Sequence, residues 1–528
     1  MSKFRTQLCS SLLKDNFGDV VSTVGTHLLK SGSCPLKQIA GNTGVGVEQV
    51  KKVLRTLIQR HLVRFEQNKK GFLEYHINVS TILWQLRYPR YIYCAKTLYG
   101  DAAELLVEEL LQKGQSTLER SAEAVTRKLN EALESAGHSL ITSAIVKEKF
   151  ASMVKTHFLR RCLDAKRDDE EKVISLCSPP DEEQLYQLPP MEVDGEVSKK
   201  RKRSLESSDQ PNKRLKTEGR GSENIMWQVD FERFHQHFRD QLLVSATENR
   251  IDKKAAEVLR TVLRLSETKT DALATMTNPV SFNEVLHALP KELGLNNRLL
   301  EQYLSMMSDD TAAFITKVGE SSGGLYVVNI YQSLAELCKA HMENVVQERF
   351  GSKSVRIFRV LLLKRHLEQK QIEELAMVPA KEAKDRLYTM FADNFITLTE
   401  ISKTPDHAPA RTFYLFRVDI NQVARMLLEK SYKAVSNAMV RRESELTRNK
   451  RLLEKQERVA AIAATLEQNG VEGQKEEIEQ IITPAEITQL AKIKHVINKL
   501  DSCEMQLDET IFMLEMFLLY SEQVALQK

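Results

Sequence analysis

Leu36-Lys37-Gln38-Ile39-Ala40-Gly41-Asn42-Thr43-Gly44-Val45-Gly46-Val47 opens the stretch whose reading decides the fold. Its first five residues start a short helix and residues 41–46 form a turn. After Val47, apolar residues recur at Val50, Val53, Leu54, Leu57 and Ile58, the spacing of one helical stripe. Residues 62–65 then read as a strand, 67–71 as a hairpin tip and 72–77 as the return strand. Helix, turn, helix and β-hairpin, in that order, make a winged helix-turn-helix.

Off the apolar stripe the second helix carries Lys51, Lys52, Arg55 and Gln59, and the hairpin tip adds Lys69 and Lys70. Lysine and arginine neutralise phosphates and release their counterions, so these five cations are candidate DNA contacts. The same charges would also suit the solvated face of a protein-docking winged helix, because fold does not fix function.

A chain of 528 residues is too long for one hydrophobic core, so several domains are expected. The formal net charge of +4 is small for that length, and any nucleic-acid role must come from local patches. The seven cysteines include no Cys-x-x-Cys pair, so neither a zinc signature nor a disulfide framework is expected, and no metal site is assigned. The N-terminus has no apolar signal core and no stretch approaches a membrane span, so no membrane role is expected.

The winged pattern recurs. The first unit occupies 1–90. A second, over 91–245, has helices leading to a strand at 159–162, and its return strand, 225–229, comes only after a segment of about 164–222. That segment mixes acidic runs, Pro-Pro pairs and basic clusters and is expected to be disordered. Its clusters, Lys199, Lys200, Arg201, Lys202 and Arg203, then Lys213, Arg214 and Lys216, have the look of a bipartite nuclear import signal, with an uninformative linker as the alternative. A third unit spans 246–340, and its second helix is followed by a third, 298–307, that is not basic. The fourth, 341–419, begins with a helix whose Arg356, Arg359, Lys364 and Arg365 point outward, a secondary group of DNA candidates.

From residue 420 the chain turns helical, with a break at 469–473. Past Thr483-Pro484, apolar residues follow alternating intervals of three and four with Glu504 as the one departure. An antiparallel helical hairpin over 420–528 is expected. Phe512, Met516 and Phe517 fall outside its seam and suggest either a partner-docking face or packing against the fourth unit. The predicted fold class is therefore mainly α with small β-hairpins, four tandem winged helices followed by a hairpin.

Catalytic chemistry finds no support. The glycines of 41–46 lack the Gly-Lys-Ser/Thr ending of a phosphate loop and follow no buried strand, and no nucleophile elbow or His-Glu-x-x-His occurs. No cofactor and no small-molecule substrate are expected. His235 and His237, two apart on one helix, point to different sides and do not make a metal pair.

Over its whole length the chain resembles the tandem winged-helix subunit of RNA polymerase III, the largest member of that enzyme's initiation heterotrimer and a relative of the large subunit of general transcription factor IIE. The resemblance rests on the opening helices with Leu36-Lys37-Gln38-Ile39-Ala40, on Tyr88-Pro89-Arg90-Tyr91, on Trp227-Gln228-Val229-Asp230-Phe231-Glu232-Arg233-Phe234, and on the closing helical pair. It implies docking on the clamp of the largest polymerase subunit, union with two smaller heterotrimer subunits, cooperation with the initiation factor, and contact with double- and single-stranded DNA as the promoter opens. It also implies a nuclear location and a share in sensing foreign cytosolic DNA, with catalysis left to the large subunits. The transcription factor relative has a zinc ribbon, for which this chain has no cysteine spacing. A free-standing winged-helix transcription factor or chromatin adaptor is the rival reading, and it would need a basic third helix in most copies.

Overall fold

Three times along the chain a two-residue strand precedes the second helix of a winged module and pairs with the returning wing strand. Cys34–Pro35 joins Leu73–Ile77, Ser116–Thr117 joins Met226–Val229, and Val280–Ser281 joins Leu325–Val328, each making a three-stranded antiparallel sheet. The computed structural model describes residues 2–526 except 70, 137–139, 168–172, 178–181, 189–224, 268, 292–293, 404, 406–410 and 469–481. The chain divides into two units, residues 9–235 and residues 2–8 with 236–528.

In the first unit, the opening module comprises helices Asp19–Ser31, Leu36–Thr43 and Val47–Gln59 and the wing Val63–Gln67 with Leu73–Ile77. Gly44, in the left-handed region at φ 68°, ends the second helix as its amide donates to Ala40 O. Val50, Val53, Leu54 and Leu57 are buried, as the apolar stripe requires. The tyrosine-rich segment before the second module is itself helical, Tyr88–Tyr99, with Pro89 in its first turn and Gly100 breaking it from the next helix, Asp101–Lys113.

The second module continues with Leu118–Ala136 and Ser143–Lys155, and its wing strand Leu159–Arg161 pairs with Met226–Val229, Leu159 opposite Val229. The expected disordered insertion needs correction at its near end. Asp164–Arg167 and Val173–Cys177 form an antiparallel hairpin, and a 3-10 turn follows at Glu182–Tyr186. Val173, Ile174 and Leu176 supply the β-propensity that the charge runs concealed. Tyr186 anchors the turn: its hydroxyl donates to Asp230 Oδ2 (2.7 Å) and its ring stacks on His157 at 3.8 Å.

In the second unit, the third module has helices Lys253–Ser266, Phe282–Ala288 and Asn297–Asp309, the second started by a reciprocal Ser281–Glu284 capping box. The fourth has Ser352–Lys364, Gln369–Ala376 and Ala380–Ala392, then a long wing of Thr397–Ser402 and Thr412–Arg417. Its third strand is reduced to one bridge, Leu367 opposite Phe416, with N···O distances of 3.1 and 2.8 Å.

Helix Ile420–Arg448 runs antiparallel to Pro484–Leu526. The cross-helix bonds fix the direction: Asn421 meets Ser521, Tyr432 meets Glu515, Arg442 meets Asp501 and Glu504, and Lys455 meets Glu486. Glu504, the residue that breaks the heptad, is thus Arg442's partner at 2.8 Å. The helix expected to run unbroken from residue 420 to 466 stops at Asn449 and resumes as Lys450–Gln468. The hinge expected at 469–473 lies outside the described residues.

The docking face suggested at the C-terminus is corrected. Phe512 is 2% exposed, Phe517 2% and Met516 8%. Phe512 meets the Phe238 ring edge-on, while Phe517 stacks on Tyr331 and joins Leu514 and Leu518 in the core of the fourth module. The hairpin thus completes that core, and each apolar side chain it supplies contributes ~1.5–3 kcal/mol on burial.

Candidate nucleic-acid interface

The helix Val47–Gln59 buries one stripe and leaves Lys51, Lys52 and Arg55 exposed. Lys51 is engaged by Glu48 one turn back, Nζ to Oε1 2.7 Å, a solvent-exposed pair that contributes ~1 kcal/mol at most. Lys52 and Arg55 have no carboxylate partner among the described residues. At the wing tip Lys69 is exposed, and the turn is held by Asn68, whose side-chain oxygen accepts from the Lys69 amide (2.6 Å) and whose amide donates to Glu74 Oε1 (2.6 Å). Lys70 lies outside the described residues.

The exposed face of this helix is divided. Lys51, Leu54, Arg55, Ile58 and Gln59 form one wall of a groove of about 730 Å³, which Lys52 and Lys69 do not line. The opposite wall comes from the second module, with Lys113, Gln115, Ser116, Thr117, Arg120 and Met226, and Leu36 and Tyr75 contribute to the floor. Sequence reasoning missed Lys113 and Arg120 because they belong to the next module. The one available signal was Gly114, a helix-ending glycine two residues before the short strand.

Gly114 sets how closely the walls approach. Its φ is +80°, and a Cβ there would lie 2.4 Å from Gln59 O and 2.8 Å from Arg60 Cα. Gln59 Nε2 donates to Lys113 O across the same junction (3.2 Å). Behind Lys113, the buried Glu109 carboxylate accepts from Lys128 (3.1 Å) and also pairs with Lys113 itself. His61 closes the junction in the left-handed region at φ 58°. Burial, with Arg160 and Arg64 adding unfavourable positive charge, pushes its imidazole down to about 4.

Deeper in this unit His235 is buried, sharing a hydrogen bond with the Tyr91 hydroxyl (2.7 Å) and lying edge-on to Trp84 at 4.9 Å. It is a packed core histidine, held well below the usual range by burial and by Arg87 and Arg90.

In the fourth module Arg356, Arg359, Lys364 and Arg365 are all exposed, as expected of an outward face. Arg359 is already neutralised by Glu343, Nε to Oε2 2.7 Å. Around them the surface is apolar to an extent unmatched in the first module: Leu363 is 81% exposed and Met377 82%, with Tyr388, Phe391 and the cross-strand pair Ile401–Phe413 also open. The third module's helix Asn297–Asp309 carries Arg298 as its one basic residue and exposes Leu299 and Met306. The basic clusters Lys199, Lys200, Arg201, Lys202, Arg203 and Lys213, Arg214, Lys216 lie outside the described residues. No helix among the described residues is long and apolar enough to cross a membrane.

Four stretches match family models. Residues 7–68 match the RNA polymerase III subunit RPC82 helix-turn-helix domain, 148–337 match RNA polymerase III subunit RPC82, 342–418 match the C-terminal winged-helix domain of POLR3C, and 451–513 match the helical hairpin domain of DNA-directed RNA polymerase III subunit RPC3. The chain is 45% identical over 533 residues to the DNA-directed RNA polymerase III subunit RPC3 of Bos taurus, 44% over 533 to that of Homo sapiens and 45% over 534 to that of Danio rerio. Each alignment covers 98% of this chain and 99% of the relative.

Proposed function

Because the chain belongs to the RPC3 family of RNA polymerase III subunits, we propose that it is a non-catalytic, nuclear subunit that helps bring the polymerase to promoters and open DNA there. The observation that carries this reading is identity of 45% sustained over nearly the full length of both chains. As a polymerase III subunit it assembles with other subunits of that enzyme. Its closest contacts, in this proposal, are two smaller subunits and the clamp of the largest one, with the initiation factor as a further partner. The open apolar surface of the fourth module supports it as a protein-facing region.

DNA contact in this proposal is sequence-independent. Lys52 and Lys69 are the principal cations that meet phosphates, Lys51 and Arg55 stand at the edge toward the second module, and Arg356, Lys364 and Arg365 make a weaker second group. Arg359 contributes less because Glu343 holds it. The same contacts would serve a share in sensing cytosolic DNA. Affinity purification of the tagged chain from nuclear extract, followed by mass spectrometry, tests the assignment. The polymerase III subunits are expected in near-equal amounts, whereas recovery of the chain alone or with chromatin factors would favour a free-standing DNA-binding protein.

A further inference from the structure

We propose that the groove between helix Val47–Gln59 and the second winged module seats an acidic polypeptide segment of another polymerase subunit, its apolar side chains on the floor and its carboxylates on the rim. The inference rests on the chain's being a polymerase subunit, and it goes beyond the DNA reading by dividing the basic surface between two partners.

The lining decides the chemistry. Four cations, Lys51, Arg55, Lys113 and Arg120, stand around the groove, and no carboxylate among the described residues lines it. Glu48 and Glu109 answer Lys51 and Lys113, but Arg55 and Arg120 have no acidic partner among the described residues. Between them Leu36, Leu54, Ile58 and Met226 present apolar surface, and Met226 is more than a third exposed. An apolar centre inside a charged rim is the anatomy of a protein interface.

Nucleic acid fits the groove less well. A duplex reads a recognition helix by wrapping it in a major groove ~12 Å wide, and here the second module already walls one side of that helix. Single strands are held by a series of stacked aromatic rings, and Tyr75 is the one aromatic residue in the lining among the described residues. The groove is also preformed, because Gly114 brings the walls into backbone contact and the Gln59–Lys113 bond crosses between them. A segment ordering there would not have to reorganise its receptor.

The test is a photo-crosslinker, p-benzoylphenylalanine, placed at Met226 of the full chain in purified, assembled polymerase III. Irradiation is expected to attach a segment of another subunit that combines Asp or Glu with apolar residues, and Arg120→Glu is expected to cut the yield by about tenfold or more. Arg120 is exposed and outside the proposed DNA-contact set, so its reversal leaves the fold and DNA affinity unchanged. Lys52→Glu with Lys69→Glu should weaken DNA binding and leave the crosslink intact. A crosslink to nucleic acid, to a segment without acidic residues or back into the same chain would overturn the proposal. So would a yield indifferent to Arg120→Glu, or no crosslink in a fully assembled enzyme. A chain that never co-purified with the polymerase would instead refute the subunit reading itself.

Discussion

The first and fourth winged modules share one order of elements and present opposite surfaces. In the first, the third helix leaves cations around a groove and buries Val50, Val53, Leu54 and Leu57 while Val47 stays exposed. In the fourth, the corresponding helix Ala380–Ala392 exposes Tyr388 and Phe391, the neighbouring turn exposes Met377, and the wing exposes the paired Ile401 and Phe413. The sheets differ in the same sense, three strands against two strands and a bridge. Element order therefore fixes the scaffold, and the residues left off the apolar stripe give each copy a surface of its own.

The fourth module also borrows part of its core from the C-terminal helix, and breaking that loan should have the largest effect. Phe517→Ala removes a fully buried ring and is expected to cost ~3–5 kcal/mol, read as a lowered unfolding midpoint with loss of amide protection in both Val423–Leu427 and the module's helices. Protection lost in the hairpin alone would mean that the module closes without it.

In the first unit the comparable joint is backbone against backbone. Gly114→Ala forces a side chain against Gln59 O at a positive φ, and a loss of ~1–3 kcal/mol is expected in the midpoint of this unit. An unchanged midpoint would show that the two modules are not held at that glycine.

Charge reversal sharpens the contrast in function. Lys52→Glu with Lys69→Glu is expected to reduce the salt dependence of DNA binding by about two phosphate contacts, a slope change of ~0.9 per contact. Arg356→Glu with Lys364→Glu should change it less, and equal effects would erase the distinction between the modules.

A last effect is in pH. His61 is held at about 4 in the folded chain, below its ordinary 6.5, so as acid is added the unfolded chain takes up its proton first. The stability tied to neutral His61 is complete above ~6.5, declines as pH falls toward ~4, and changes no further below that. His235, depressed in the same direction, steepens the decline. His61→Gln is expected to flatten the midpoint of the first unit between pH 7 and 5, and a slope identical to that of the unsubstituted chain would contradict the burial argument.

Much of this was legible beforehand. Helical stripes at Val50–Leu57, the return of the second wing at Trp227, and the hairpin's alternating heptad all follow from local periodicity, which the chain obeys. Even Glu504, an apparent fault, marks a cross-helix partner for Arg442. The hairpin Asp164–Arg167 with Val173–Cys177 was hidden because charge runs flank a short apolar stretch. Phe512, Met516 and Phe517 read as an open face because an exposed helix side and one packed on a distant module have the same spacing. The groove was invisible for a related reason: Arg55 and Arg120 meet through tertiary structure, and only Gly114 hinted at the contact.

The central claim, that the first module faces nucleic acid and the fourth faces protein, is tested most directly by site-specific photo-crosslinking in polymerase III engaged on promoter DNA. One crosslinker replaces Lys52 and another replaces Tyr388. The account predicts a DNA adduct from position 52 and adducts to other subunits from position 388. DNA captured from position 388 with only protein from position 52 would contradict it.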